Sequence, residues 1–335
     1  MTDFSFQWDM GQAGVQLLGG MLGPITFTLE NGEKIQPMSV APWASDIGPQ
    51  FDELPGHLKR MRGEWPCIPF GHPFSPSGLP EEWTATAESE GGGEYHGFAA
   101  NNLWHLESRE TGGLAIAIDY PEDHAVERLT RAFKGVEGAP ALEITLCIEA
   151  RKDTRLPGSL HPVFRLPSEP GGMRIRPPNF AAGFCYPVSI VEGVSQLEPG
   201  AAFHDLGAVP AKGGFADMRR VPLPRDTEEI VQICGVDGPV ALDNQSEGYR
   251  VTLDFDRDVF PSVLFWYSNR GRSHYPWNRR HVALGVEPLR SPFDFGPEVG
   301  RSPDNPIARA GFSTALPLWR NKPLCTTYSI AVEKI

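Results

Sequence analysis

The chain has 335 residues, 40% hydrophobic and 21% charged, with a mean hydropathy of -0.28, the balance of a folded globular protein with ample core. A formal charge of -12 and a pI near 5.3 would repel nucleic-acid phosphates and anionic lipid headgroups, so neither partner is expected. No apolar run reaches the roughly 18 residues of a membrane span, and Thr2-Asp3-Phe4-Ser5-Phe6 lacks the basic start and apolar stretch of a signal peptide, so a cytoplasmic location is expected.

The length admits two domains, yet large all-β folds run this long as one. With no internal repeat or low-complexity linker, residues 1–335 are read as a single unit. The five cysteines, Cys67, Cys147, Cys185, Cys234 and Cys325, are widely spaced and form no C-x-x-C pair, so they are expected to be reduced and mostly buried. The nine histidines show no paired ligand spacing, and no metal is expected.

Glycine (36) and proline (33) are abundant and evenly spread, which breaks helices and suits many short strands joined by turns. The class expected is all-β, a large antiparallel β-sandwich. Asn31-Gly32 between residues 25–29 and 34–35 signals a hairpin with a type I′ turn, which needs positive φ at both central positions. Pro55-Gly56 limits residues 54–61 to a short helical turn. Residues 75–93, rich in Pro, Gly and Glu, read as a flexible surface loop leading to His96. Leu114, Ile116 and Ile118, then Leu142, Ile144, Leu146 and Ile148, alternate with smaller or polar neighbours as half-buried strands do. Residues 121–134 fit a helical turn or a hairpin extension equally, and residues 151–159 read as a polar loop entering His161. Tyr249, Val251, Leu253 and Phe255 mark a further alternating strand; residues 263–267 and 281–287 read as buried strands on either side of an Arg-, Gly- and Trp-rich loop. Pro288 is expected to end pairing directly after Glu287.

Four stretches carry chemistry. Arg62-Gly63-Glu64-Trp65-Pro66-Cys67-Ile68-Pro69-Phe70-Gly71 and Tyr95-His96-Gly97-Phe98-Ala99-Ala100-Asn101-Asn102-Leu103-Trp104 set a cation, an imidazole and flat rings in loop-like sequence. Such groups suit a sugar, whose hydroxyls meet charged and amide groups and whose C–H faces meet aromatic rings. Leu160-His161-Pro162-Val163-Phe164 and Leu284-Gly285-Val286-Glu287-Pro288 follow. Taken alone, a strand-end glutamate is usually solvated, a lone histidine is usually packed, and Arg62 could be only an ion-pair former.

In this order the four stretches resemble the galactose mutarotase-like superfamily, above all its aldose 1-epimerases and hexose-6-phosphate 1-epimerases. Their motifs read Arg-Gly-Gly-x-Pro-x-x-x-Pro-x-Phe-Gly, His-Gly-Phe-Ala-Arg-x-x-x-Trp, His-x-Tyr-Phe and a late Glu-Pro. Here Glu64 stands at the second Gly, Val163 at the Tyr, and Ala100 at the Arg that helps hold phosphate in the phosphohexose branch. The resemblance implies a mutarotase-type sandwich that needs no cofactor. It makes Glu287 the base that takes the anomeric proton and His161 the acid that protonates the ring oxygen. Arg62 and His96 would bind the sugar, with an acidic residue best matched by Asp217, ahead of Asp205 and Asp237. Arg270, Arg272, Arg279 and Arg280 either replace the lost phosphate contact or form a solvated basic loop. The reading implied is an aldose 1-epimerase. A non-catalytic sugar binder, a hexose-6-phosphate 1-epimerase and another acid–base carbohydrate enzyme are the alternatives.

Overall fold

The computed structural model describes residues 3–74, 78–84 and 93–335. Strands make up 45% of the chain and helices 7%, so the turn-rich composition resolves into the all-β class. The longest alternating segments build a nine-stranded antiparallel sheet, in the order Arg220–Val221, Met173–Arg176, Val240–Asn244, Tyr249–Asp254, Leu324–Lys334, Ala141–Ala150, Val126–Gly135, Gly113–Asp119, His105–Glu110. Residues 121–134 thus resolve mostly into strand. Leu142, Ile144, Leu146 and Ile148 point inward, while the His105–Glu110 edge strand is exposed at every position. Its charged residues suit an edge that must not recruit another strand.

A second sheet of eight strands positions the site. Its path runs Ala202–Phe203, Ala182–Cys185, Thr227–Cys234, Ser262–Asn269, Val282–Arg290, Gly158–Leu160, Pro66–Cys67, with Val163–Arg165 also paired to Val282–Arg290. Thr227–Cys234 and Ser262–Asn269 are buried at every position because both faces of this sheet are covered. Val231, Ile233, Val263, Phe265, Leu284 and Val286 join the main core with residues of the nine-stranded sheet. The alternate positions Ile230, Leu264, Trp266 and Ala283 join a second cluster, with Trp43, Met61, Trp65 and Trp277. A four-stranded meander formed by residues 4–35 packs Phe6, Ile25 and Phe27 against the main core.

A charged network is sealed inside the core. Glu64 and Arg131 are fully buried and form an ion pair; Tyr328 O–H donates to Glu64 (2.7 Å) and accepts from Arg131 (2.8 Å), while Arg131 also donates to the Gly20 carbonyl. Burial alone would depress the Arg131 guanidinium, but Glu64 and Tyr328 more than offset it, so its pKa is raised. This network joins the meander, the 62–71 motif and two strands of the nine-stranded sheet.

Several sequence expectations are corrected. The residue 25–35 hairpin forms, with Thr28 opposite Lys34, but only Gly32 of the Asn31-Gly32 pair has positive φ. The turn is longer, closed by Leu29 N–H to the Glu33 carbonyl (2.8 Å). The short helical turn expected within residues 54–61 forms, with Lys59 N–H bonded to the Pro55 carbonyl (3.1 Å), and a further one-turn helix precedes it at Pro49–Asp52. Of the proposed 75–93 loop, residues 75–77 and 85–92 lie outside the described residues, while Trp83 is buried against Phe293 and Phe295. The 151–159 loop contains the strand Thr154–Leu156. Cys147 and Cys325 are not thiols: they face each other across adjacent strands, 178 residues apart in sequence, and form a disulfide. Cys67, Cys185 and Cys234 are free and buried. Among the described residues no helix is long and apolar enough to cross a membrane.

Candidate active site

The site begins with a break in a strand. Gly158–Leu160 and Val163–Arg165 both pair with Val282–Arg290, and His161-Pro162 falls between them. His161 N–H donates to the Trp65 carbonyl and Val163 N–H to that of Gly63, each at 2.8 Å, so the 62–71 motif is laced to the histidine. Val286 N–H donates to the Pro162 carbonyl (2.9 Å). Two residues on, Pro288 stands opposite Leu160 in the same register and has no N–H to give, and the Leu160 carbonyl accepts from the Ser159 hydroxyl instead (2.8 Å). The strand therefore continues through Pro288 to Arg290 rather than ending after Glu287, and it carries Glu287 beside His161.

The carboxyl and the imidazole lie 3.5 Å apart, Glu287 Oε1 to His161 Nε2, both almost wholly buried. Gly285 makes room for them. A Cβ there would lie 2.6 Å from Glu287 Oε1 and 3.1 Å from the Trp266 Cβ. Trp65 stacks on His161 at 4.2 Å and 16°, and His96 meets it edge-on at 5.2 Å. His96 has a left-handed backbone (φ 64°) fixed by its N–H to the Gly71 carbonyl (2.8 Å). Gly97 follows at φ 83°, with the Ile68 carbonyl 2.6 Å from where a Cβ would sit. Only glycine satisfies both conditions. His57 edges against His96 at 5.3 Å, held by Asn101, whose side-chain oxygen accepts from both the His57 backbone (3.1 Å) and its ring (2.9 Å).

These groups line a cavity of about 540 Å³ with Trp266, Trp277, Tyr95, Tyr186, Arg272 and Asp294. Asp294 accepts from Tyr95 O–H (2.6 Å) and Tyr186 O–H (2.9 Å). Arg272 lies over the Trp277 ring (4.7 Å) and pairs with the buried Glu228 at 3.1 Å. Glu228 also accepts from Trp266 Nε1 (2.6 Å).

Three sequence-derived candidates, His96, His161 and Glu287, line this cavity together. Arg62 and Asp217 do not line it. The Arg62 Nε donates to the Arg60 carbonyl (2.9 Å). Asp217 lies beside a small hairpin in ion pairs with Arg219 and Arg220. Arg272 is the one arginine of the 270–280 loop in the cavity lining, while Arg270 and Arg280 pair with Asp226 and Asp46. Sequence reasoning passed over His57, Tyr95, Tyr186 and Asp294. Among the described residues no group of three or more His, Cys, Asp or Glu is placed to hold a metal.

Burial sets the ionisation of the pair. It pushes the Glu287 carboxyl well above the usual carboxylate range, with Asp294 adding to the effect, and it depresses His161 to about 3. Burial thus favours the uncharged form of each group in the sugar-free site, a protonated Glu287 and a neutral His161. Burial likewise depresses His57 to about 4, His281 to about 3, and His96 well below its ordinary value.

The folded chain thus binds fewer histidine protons than the unfolded chain below pH 6.5, and the stability these imidazoles contribute is lost as pH falls from there toward 3. Raised Glu94, Glu228, Glu229 and Glu287 act in the opposite sense above the usual carboxylate range, four carboxyls against five depressed imidazoles once His124 is included. A tenfold change in proton affinity between the folded and unfolded chains corresponds to about 1.4 kcal/mol, so the melting temperature should drop by about 5 °C or more between pH 7 and pH 5. An unchanged melting temperature would mean that the imidazoles charge in place.

No family model matches the chain, and no curated protein matches it in sequence. Solved structures do. A galactose mutarotase-like protein from Clostridium acetobutylicum superposes with a TM-score of 0.64 at 12% identity, over 99% of this chain and 95% of that one. A galactose mutarotase related enzyme from Lactobacillus acidophilus gives 0.61 at 13% identity, over 99% and 98%. The chain has the galactose mutarotase-like fold. An aldose epimerase homologue from C. elegans gives 0.59 at 11% identity, over 99% and 98%, so the mutarotase-like architecture is matched along nearly the whole length. The fold class expected from the four motifs is the one observed.

Proposed function

We propose that the protein is an aldose 1-epimerase, interconverting the anomers of a neutral aldose by ring opening and closure. The observation that carries this reading is the buried Glu287–His161 pair, 3.5 Å apart, in an aromatic-walled cavity. Ring opening needs one proton delivered to the ring oxygen and one removed from the anomeric hydroxyl. A pair holding a single proton does both: the protonated member gives to the ring oxygen as the C1–O5 bond breaks, and the other takes the O1 proton as the C1–O1 double bond forms. Rotation about C1–C2 and the reverse transfers give the other anomer and restore the pair. His96 and His57, neutral, offer hydrogen bonds to hydroxyls, and Trp65 and Trp266 offer faces to C–H groups.

The phosphohexose alternative has less support. Ala100 is fully buried in the apolar cluster, and Arg272 is already paired with Glu228. Anomer-exchange NMR on D-glucose, D-galactose and their 6-phosphates tests the reading; no acceleration on any of them would sink it. Gly285→Ala supplies a second test. The added methyl forces the Glu287 carboxyl aside, and a displacement near 1 Å at reacting atoms lowers turnover by about 10²-fold. Stability should fall by about 1–3 kcal/mol at most, because besides displacing the carboxyl end the methyl crowds the Trp266 Cβ at 3.1 Å. Full activity in Gly285→Ala would show that the carboxyl position is not critical.

A further inference from the structure

The polar groups account for only one end of the cavity. From Glu287, the sheet runs outward through Leu264, its direct cross-strand partner, to Ile230, which pairs with Trp266 on the next strand. Beyond it, Tyr186 N–H bonds the Ile230 carbonyl (3.1 Å), bringing in Val188 and Ile190, while Leu58 and Met61 also line the cavity. Ile230 is two strands across and two residues along from Glu287, which at about 4.8 Å per strand and about 3.4 Å per residue puts it about 12 Å away. Leu58, Val188 and Ile190 are only half-buried, so apolar surface faces the cavity with no group among the described residues covering it. A sugar bearing only hydroxyls would bury that surface against polar groups and leave those hydroxyls without hydrogen-bond partners, which is costly.

Charge points the same way. The cation in the lining, Arg272, is held by Glu228, and Asp294 adds a second carboxyl already engaged by two tyrosine hydroxyls. A phosphate or carboxylate on the sugar would meet the Asp294 carboxyl, while the arginine in the described lining is already paired with Glu228.

Building on the epimerase reading, we infer that the substrate is an uncharged aldose carrying a hydrocarbon substituent at the end remote from its anomeric carbon. The anomeric hydroxyl and ring oxygen face Glu287 and His161, and the substituent lies along the wall of Leu264, Ile230, Val188, Ile190, Leu58 and Met61. Each methylene removed from water there strengthens binding.

The test separates binding from turnover. Calorimetry compares D-glucose and D-galactose with their 6-O-butyl ethers and 6-phosphates, and NMR follows anomer exchange on the same set. The ethers should bind about tenfold tighter than the parent sugars or better, and the phosphates more weakly than the parents. Ile190→Asp should bring the ether-to-parent affinity ratio close to one, and Ile190→Leu should keep it. Equal or weaker binding of the ethers, or tighter binding of the phosphates, overturns the inference. Exchange on the parent sugars without a gain from butyl sinks the wall and leaves the epimerase. The affinity order without exchange sinks the epimerase and leaves the wall. Butanol competing as strongly as the butyl ethers would show a hydrocarbon site with no sugar specificity, which also overturns it.

Discussion

Glu287→Gln should lower anomer exchange by about 10²- to 10⁴-fold, the usual contribution of a positioned acid–base group. The amide keeps the shape of the carboxyl, so sugar binding measured by calorimetry should survive. The wild-type pH profile carries the sharper information. In the proposed mechanism the working pair holds one proton, and burial favours Glu287, whose pKa is raised, as its carrier beside His161, depressed to about 3. The rate should therefore stay flat from neutrality down to acid unfolding and fall only on the alkaline side, as Glu287 ionises. His161→Asn should lose turnover on the same scale as Glu287→Gln, yet any residual activity should keep the alkaline limb. Loss of that limb in His161→Asn would put the proton on His161 in the free protein, and wild-type exchange in Glu287→Gln would remove the carboxyl from the mechanism.

Arg131→Met should cost about 3–5 kcal/mol of stability, because it leaves the fully buried Glu64 carboxyl facing Tyr328 with no cation. Urea unfolding measures it. The double variant Glu64→Gln, Arg131→Met should recover much of the loss, since two neutral groups of similar volume need no ionic partner. A double variant as unstable as the sum of its single changes would mean that the interaction is not the source of the cost.

What the sequence made legible follows from how each feature is encoded. Strands such as Ala141–Ala150 and Tyr249–Asp254 show a period-two pattern because one face is wet or polar. The His96, His161 and Glu287 stretches stand in recognisable order, and the structure brings those three side chains to one cavity. Arg62 sits two residues from Glu64, in the same motif, but its guanidinium turns to the Arg60 carbonyl, a local choice that no spacing records. Arg272 was one of four arginines in a loop with positive φ at Arg270, Asn278 and Arg279. Those backbone turns decide which arginine enters the cavity, and residue type alone does not reveal them. Asp294 reaches the site through a loop whose carbonyl accepts from His72 N–H (2.8 Å), a contact between segments more than 200 residues apart. The Cys147–Cys325 pairing is hidden for the same reason, since a register across two strands fixes it.

The two-sided burial of the eight-stranded sheet divides the labour of its strands by parity. Along Thr227–Cys234 and Ser262–Asn269, Val231, Ile233, Val263 and Phe265 answer to the main core, whereas Ile230, Leu264 and Trp266 answer to whatever fills the cavity. Neighbours in sequence therefore meet different physical demands: one set fits the packed core, the next the shape of the cavity. Such a strand can acquire a new ligand preference through every second residue while the intervening ones keep the protein folded.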